Sequence, residues 1–197
     1  MTQGSPGRRK ILLHACCAPC MLFPLEVLSE RGYDAVPFFY NPNIHPFREY
    51  RARYFAVVDL CVSKGLALRT GPYDMERYFS RVAEAEAVRA GGPPGGSRCL
   101  SCFEMRLNRA ASEARRLRIG EFTTTLLVSP YQDQELIRKA GLSAATEYGV
   151  HFLFEDMTRG YRDSVAESRS TGMYRQSYCG CVYSERERYQ KSDPPRR

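Results

Sequence analysis

The sequence predicts an α/β domain with a Rossmann-like, parallel sheet of about five strands and helices on both faces. Three observations carry this. Short apolar or β-branched runs recur at 9–15, 34–40, 66–70, 121–128 and 150–154. Segments with apolar residues at helical spacing separate them, the alternation that builds a parallel sheet through helical crossovers. The chain is 197 residues long and 43% apolar, enough for one domain with a real core. A single domain over 1–197 is expected, with a core over about 9–184 and a basic tail over 185–197.

In order, "KILLH" (10–14) reads as the first strand. A helix follows through Leu22, Leu25, Val27 and Leu28 and stops at Gly32. "DAVPFFY" (34–40) is the second strand. "NPNIHP" (41–46) holds two prolines and is irregular. A long helix places Tyr50, Tyr54, Val57, Val58 and Cys61 on one face and ends at Gly65. "LALRT" (66–70) is the third strand, and a helix covers roughly 74–89. "AGGPPGGSR" (90–98) reads as a flexible break. A helix resumes from Cys99 to about Leu117. "EFTTTLLV" (121–128) is the fourth strand, since threonines favour extended chain. The next helix is expected to start with Ser129 as its cap and Pro130 at its first position. "VHFLF" (150–154) is the fifth strand, and a last helix runs near 160–171. A polar loop with "SYCGC" and a charged tail close the chain.

No run of eighteen apolar residues exists, so no membrane span is expected. The basic start meets His14 and Cys16 after a very short apolar run, unlike a signal peptide. A cytoplasmic protein is expected. Its eight cysteines then point to metal or redox chemistry, because cytosolic reductants keep thiols from pairing. The net charge of +7 and the basic runs at 47–54, 113–120 and 185–197 suit a phosphate-rich partner or a solvated surface.

Open α/β sheets bind ligands beyond the carboxyl ends of their strands. The unusual segments fall there: "HACCAPC", "NPNIHP", "LLVSPYQD" and "EDMTRGYRDS" each follow a strand. Seven cysteines form three groups: Cys16, Cys17 and Cys20; Cys99 and Cys102; Cys179 and Cys181. Cys61 sits alone on an apolar helical face and reads as core. Cys99-x-x-Cys102 at a helix start puts both sulfurs on one side, where the helix dipole favours thiolates. Thiolates suit zinc and iron–sulfur centres. Seven are too many for one closed zinc site, and the close ferredoxin run is absent. Adjacent side chains seldom share one metal, so Cys16 and Cys17 read as serving two neighbouring centres. Cys20 reads as a ligand, a spare thiol or a substitute for an oxygen donor.

"HACCAPC", "YNPNIHP", "EYRAR", "RCLSCFEMRL", "TTTLLVSPYQD" and "YRQSYCGCVYS", in that order, resemble the epoxyqueuosine reductase family QueH over about residues 10–184. The resemblance implies reduction of epoxyqueuosine to queuosine at the wobble position of tRNA. It implies a [4Fe-4S] cluster with a second metal ion nearby, iron or zinc, and no cobalamin. It implies tRNA carrying epoxyqueuosine as partner and an external electron donor of ferredoxin or flavodoxin type. It carries over onto Cys16, Cys17, Cys99, Cys102, Cys179 and Cys181. Cys17, Cys99 and Cys102 are assigned to the cluster, and Cys16 and Cys20 to the second metal. Cys179 and Cys181 either complete a metal site or form a redox pair.

Epoxide removal needs protons, and Asp133, His14 and Asp156 lie beside the expected edge. Each has a structural alternative: a first-turn helix residue for Asp133, a core histidine for His14. Tyr131 and Gln132, at a helix start, could hold a phosphate or ribose oxygen or simply cap and pack. Arg48, Arg51, Arg53, Arg159 and Arg162, near Tyr40, Phe47, Tyr50 and Tyr161, are the RNA-binding candidates. Two rival readings remain: a cluster-dependent tRNA sulfur-transfer or desulfurising enzyme, and a zinc-stabilised RNA-binding module. No "SGGxDS" phosphate loop follows the first strand, which disfavours nucleotide activation.

Overall fold

The computed structural model describes residues 7–88 and 96–190. Five parallel strands form one sheet: β1 (Arg9–His14), β2 (Tyr33–Phe39), β3 (Arg69–Thr70), β4 (Glu121–Thr124) and β5 (His151–Phe152), in the order β3-β2-β1-β4-β5. β1 is central because it is apolar on both faces: Ile11, Leu12 and Leu13 are fully buried. Leu12 joins one core layer, while Ile11 and Leu13 pack on the opposite side with Leu28 and Tyr33. A strand buried on both faces needs a continuous apolar run, which "ILL" supplies.

The helices are α1 (Leu22–Glu30), α2 (Phe47–Ser63), α3 (Met75–Val88), α4 (Gly96–Arg116), α5 (Gln134–Tyr148), α6 (Tyr161–Ser170) and α7 (Val182–Tyr189). The chain builds outward from β1 to β3, then returns to the other side of β1 for β4 and β5. The switch point of the sheet therefore lies at the carboxyl ends of β1 and β4, where such sheets bind ligands.

Four expectations are corrected. The fourth strand ends at Thr124, and Thr125–Val128 form a 3-10 turn. The Thr124 hydroxyl accepts from the Leu126 N–H at 3.2 Å and so caps that turn, which diverts the chain from the sheet. The fifth helix starts at Gln134, not at Pro130. Its cap is Asp133, which accepts from the Leu136 N–H at 3.0 Å, while Ser129 is spent on the preceding turn. α4 begins at Gly96, so Cys99 lies a turn inside the helix rather than at its start. Residues 182–189, expected as loop and tail, are helical. The Cys181 sulfur caps α7, accepting from the Ser184 N–H at 3.3 Å. Most of the Gly/Pro segment and the last part of the tail (191–197) lie outside the described residues.

Candidate active site at the carboxyl edge of the sheet

The site starts where β1 ends. Ala15 extends the β1–β2 pairing by donating its N–H to Phe38 O at 2.8 Å. Cys16 then crosses to the other side of the switch point. Its N–H donates to the Thr125 hydroxyl at 3.0 Å, and that hydroxyl lies 3.1 Å from the Cys16 sulfur. The 3-10 turn after β4 thus presents Thr125 to Cys16.

The sulfurs of Cys16, Cys17 and Cys20 all lie within 4.8 Å of one another. Among the described residues they are the one set of three or more His, Cys, Asp or Glu side chains gathered so closely. Cys16 and Cys17 are 3.7 Å apart. Cys17 and Cys20 are buried and Cys16 is half-buried. The Gln176 side-chain amide donates to Cys17 at 2.9 Å and reaches Cys20 at 3.8 Å. Thiol bonds from Cys17, then from Cys20, hold the Cys16 thiol well below its ordinary pKa, aided by the Arg106 charge and Thr125 against the effect of burial. Burial pushes Cys17 up, and bonds to Cys16 and Cys17 push Cys20 up. Of the three thiols, Cys16 is thus the one whose proton is most easily lost. A soft cation can displace the thiol protons.

Cys99 and Cys102 come from α4 and face the C-terminal loop. The charge of Cys179 is felt by both. Burial raises Cys99 and lifts Cys102 to about 11, so at these positions desolvation outweighs the expected help of the helix dipole. Cys179 and Cys181 sit 3.8 Å apart in Cys-Gly-Cys. The Cys181 thiol bonds to Cys179 and lowers it, while Cys181 itself is raised. Cys17 therefore lies with Cys16 and Cys20 rather than with Cys99 and Cys102, and the adjacent Cys16 and Cys17 share one triad. Cys61 is buried in a separate apolar cluster with Val57 and Leu60, as expected.

The C-terminal loop is pinned by the segment after β2. His45 N–H donates to Gly180 O at 2.7 Å, and the Tyr178 hydroxyl donates to His45 O. Gly180 has φ 127°, and a Cβ there would come 2.9 Å from the Ile44 side chain. Arg53 completes the clamp. It donates to Glu49 at 2.7 Å, to Cys179 O at 2.9 Å and to Tyr178 O at 3.0 Å. It is 2% exposed, so the RNA-binding role expected of it is corrected to a structural one.

His14 is also corrected. Its Nδ1 is 2.8 Å from the Thr124 hydroxyl and its Nε2 is 3.1 Å from Tyr40 O. Burial lowers it to about 3, with Arg106 adding to the effect. A neutral imidazole donating to a carbonyl and accepting from a hydroxyl has no free nitrogen for catalysis. Asp156 caps its own turn, accepting from Thr158 N–H at 2.9 Å and from its hydroxyl at 2.6 Å. Those bonds lower its pKa and keep it ionised. Asp133 is exposed, caps α5, and its charge reaches Cys99. The N–H groups of Tyr131 and Gln132 donate to Ser129 at 3.3 Å each, so they do not form the anion site expected of them. The Tyr131 side chain is 79% exposed and meets Tyr161 edge-on at 5.7 Å. Arg48, Arg51, Arg159 and Arg162 are exposed. Tyr40 is buried and Tyr50 half-buried, while Phe47 is exposed.

Four site residues escaped the sequence reading: Asn41, Arg106, Thr125 and Gln176. Arg106 had a signal, since it lies one helical turn from Cys102. Thr125 had none, because its role depends on a turn that reads as strand.

Comparison with known proteins gives one consistent family. The model of a family described as epoxyqueuosine reductase QueH matches residues 11–187. The chain is 37% identical to epoxyqueuosine reductase QueH of Dehalococcoides mccartyi, over 94% of this chain and 98% of that one. It is 38% identical to the protein of that name from Thermotoga maritima, over 92% and 93%. Its fold is similar to a predicted subunit of tRNA methyltransferase from Methanocaldococcus jannaschii, with a TM-score of 0.50 at 12% identity, covering 81% of this chain and 74% of that one. Among the described residues, no helix is long and apolar enough to cross a membrane.

Proposed function

The chain belongs to the epoxyqueuosine reductase QueH family, and from that premise we propose that it reduces epoxyqueuosine to queuosine in tRNA, in the cytoplasm, on metal held by its clustered thiols. The observation that carries this is the triad of Cys16, Cys17 and Cys20 at the switch point of the sheet. Three sulfurs within 4.8 Å of one another fit a thiophilic centre. Cys99, Cys102, Cys179 and Cys181 supply a second set of donors. Together the two sets fit a [4Fe-4S] cluster and a second metal ion, iron or zinc, better than a single structural zinc, which needs four ligands.

The overall reaction takes an epoxide, two electrons and two protons to an alkene and water. When bound, such a cluster supplies single electrons and an open iron that polarises the epoxide oxygen. The electrons come from an external donor of ferredoxin or flavodoxin type. The chain's own residues shape the rest. Arg48, Arg51, Arg159 and Arg162 are exposed and meet tRNA phosphates. Tyr131 and Tyr161 form a platform on which an unstacked anticodon base can rest. The charge of Asp133 is among those felt at Cys99, and its exposed carboxyl group can relay a proton. The C-terminal clamp keeps Cys179 and Cys181 next to α4.

The test is anaerobic purification followed by incubation with epoxyqueuosine tRNA and a chemical reductant, with nucleosides read by mass spectrometry. Brown protein with about four or more irons per chain and conversion to queuosine are expected. Colourless protein with one zinc would favour the RNA-binding module. Unchanged epoxyqueuosine with the cluster intact would defeat the proposal.

A further inference from the structure

Three arginines among the described residues are buried: Arg53, Arg98 and Arg106. Two of them have a carboxylate. Arg53 pairs with Glu49 and Arg98 with Glu187, each at 2.7 Å. Arg106, 3% exposed, has no carboxylate within ion-pair distance among the described residues. Its Nη2 donates to the Asn41 side-chain carbonyl at 2.7 Å, and its Nη1 lies 4.0 Å from the Cys102 sulfur. Its Nε has no partner there. A guanidinium cannot shed its proton, and a neutral amide cannot cancel its charge. A charge taken out of water this far needs an anion.

Among the described residues, the anions its surroundings can supply are the thiols, once a metal takes their protons. The guanidinium touches Cys102 directly, and its field reaches Cys16. Asn41 fixes its position: fully buried, Asn41 donates to Ala15 O at 2.9 Å, beside Cys16. The cation is thus tied to the ends of β1 and β2 and to α4, between the two thiol sets. Buried as the guanidinium is, its field is poorly screened.

We infer that Arg106 is the fixed counter-charge of the thiol site, a positioning residue that biases bound metal toward its reduced state. The inference deepens the proposed function and rests on that reading for the identity of the metal. A positive charge held near a redox centre stabilises the form that carries one more electron.

The test compares Arg106→Lys with Arg106→Gln. Lysine keeps the charge and loses the fork. Glutamine can keep the bond to Asn41 and loses the charge. In iron-loaded protein without substrate, redox titration followed by electron paramagnetic resonance reads the reduced-to-oxidised ratio at a fixed potential. Arg106→Gln should lower it at least about tenfold, about 59 mV for one electron, while Arg106→Lys stays within about twofold of the parent. No shift with Gln, or equal shifts with Lys and Gln, would overturn the inference. A second arm needs no iron. Zinc uptake by metal-free, reduced protein, read by competition with a chromophoric chelator, should weaken about tenfold in Arg106→Gln, which leaves the metal-bound thiolates without their counter-charge, and stay within about twofold in Arg106→Lys. Equal affinities in all three would overturn the inference too. If the parent protein takes up no iron, the proposed function fails and the zinc arm alone decides the role of Arg106.

Discussion

Replacing Arg53 by Met should cost the fold about 3–5 kcal/mol, the usual penalty for stranding one partner of a buried ion pair. The side chain is 2% exposed and Glu49 is 12% exposed. Met fills the space of the aliphatic stem but leaves the Glu49 carboxylate, among the described residues, with only the Tyr174 hydroxyl as partner. It also strips the donors from the carbonyls of Tyr178 and Cys179. For a chain of this size each kcal/mol moves the melting point by about 2–4 °C, so a drop of about 6–20 °C is expected. The assay is thermal unfolding of metal-free, reduced protein followed by circular dichroism. Arg51→Ala, exposed on the same helix, is the control and should stay within about 0.5 kcal/mol. Adding Glu49→Met to Arg53→Met should recover part of the loss, because the stranded charge is then gone. A drop no larger than the Arg51→Ala control would refute the clamp and return Arg53 to the solvent-facing, RNA-binding role its neighbours in "EYRAR" suggest.

Gly180→Ala should destabilise the C-terminal loop by about 1–3 kcal/mol, given its left-handed φ and the contact with Ile44, and lower the iron bound per chain; unchanged melting and iron content would show the loop to be loose. His14→Leu should destabilise the protein by about 1–3 kcal/mol by unpairing Thr124 and Tyr40 O, as read by urea unfolding; full stability with lost turnover would restore the catalytic reading. Binding of tRNA should weaken with salt, and Arg48→Ala or Arg51→Ala should each reduce the slope of log affinity against log salt by about 1, measured by filter binding; an unaltered slope would remove α2 from the interface. Cys61→Ala should leave iron content unchanged, whereas Cys17→Ala should reduce it, measured by iron analysis after anaerobic reconstitution.

The order of elements was legible because β1 and β2 are continuous apolar runs with glycines or prolines beyond them. Their neighbours were less so. β3 and β5 are two residues long, and edge strands this short leave almost no pattern. Thr125–Val128 has the composition of a strand, and only the capping bond of the Thr124 hydroxyl turns it away. α7 was invisible for a different reason: "VYSERERY" has no apolar face, and its cap is a cysteine, a residue outside the usual capping set.

The site divides along the same physical line. That Cys16, Cys17 and Cys20 gather at the carboxyl edge follows from topology, because they follow β1 directly, while Cys99 and Cys102 lie in the first turns of α4 and Cys181 caps α7. Which thiols touch follows from side-chain packing, which sequence spacing does not encode. The arginines show the difference most clearly. Arg48, Arg51 and Arg53 stand within six residues, yet the helix turns the first two to solvent and the third into the clamp. The available signal was Glu49 at i−4, which marks the one arginine of the three with a carboxylate partner on its own helix face among the described residues. Arg106 carries the converse signal, a cysteine at i−4 and no acidic partner. An arginine's neighbour one turn back thus separated structural, solvent-facing and site-facing roles where charge density alone could not.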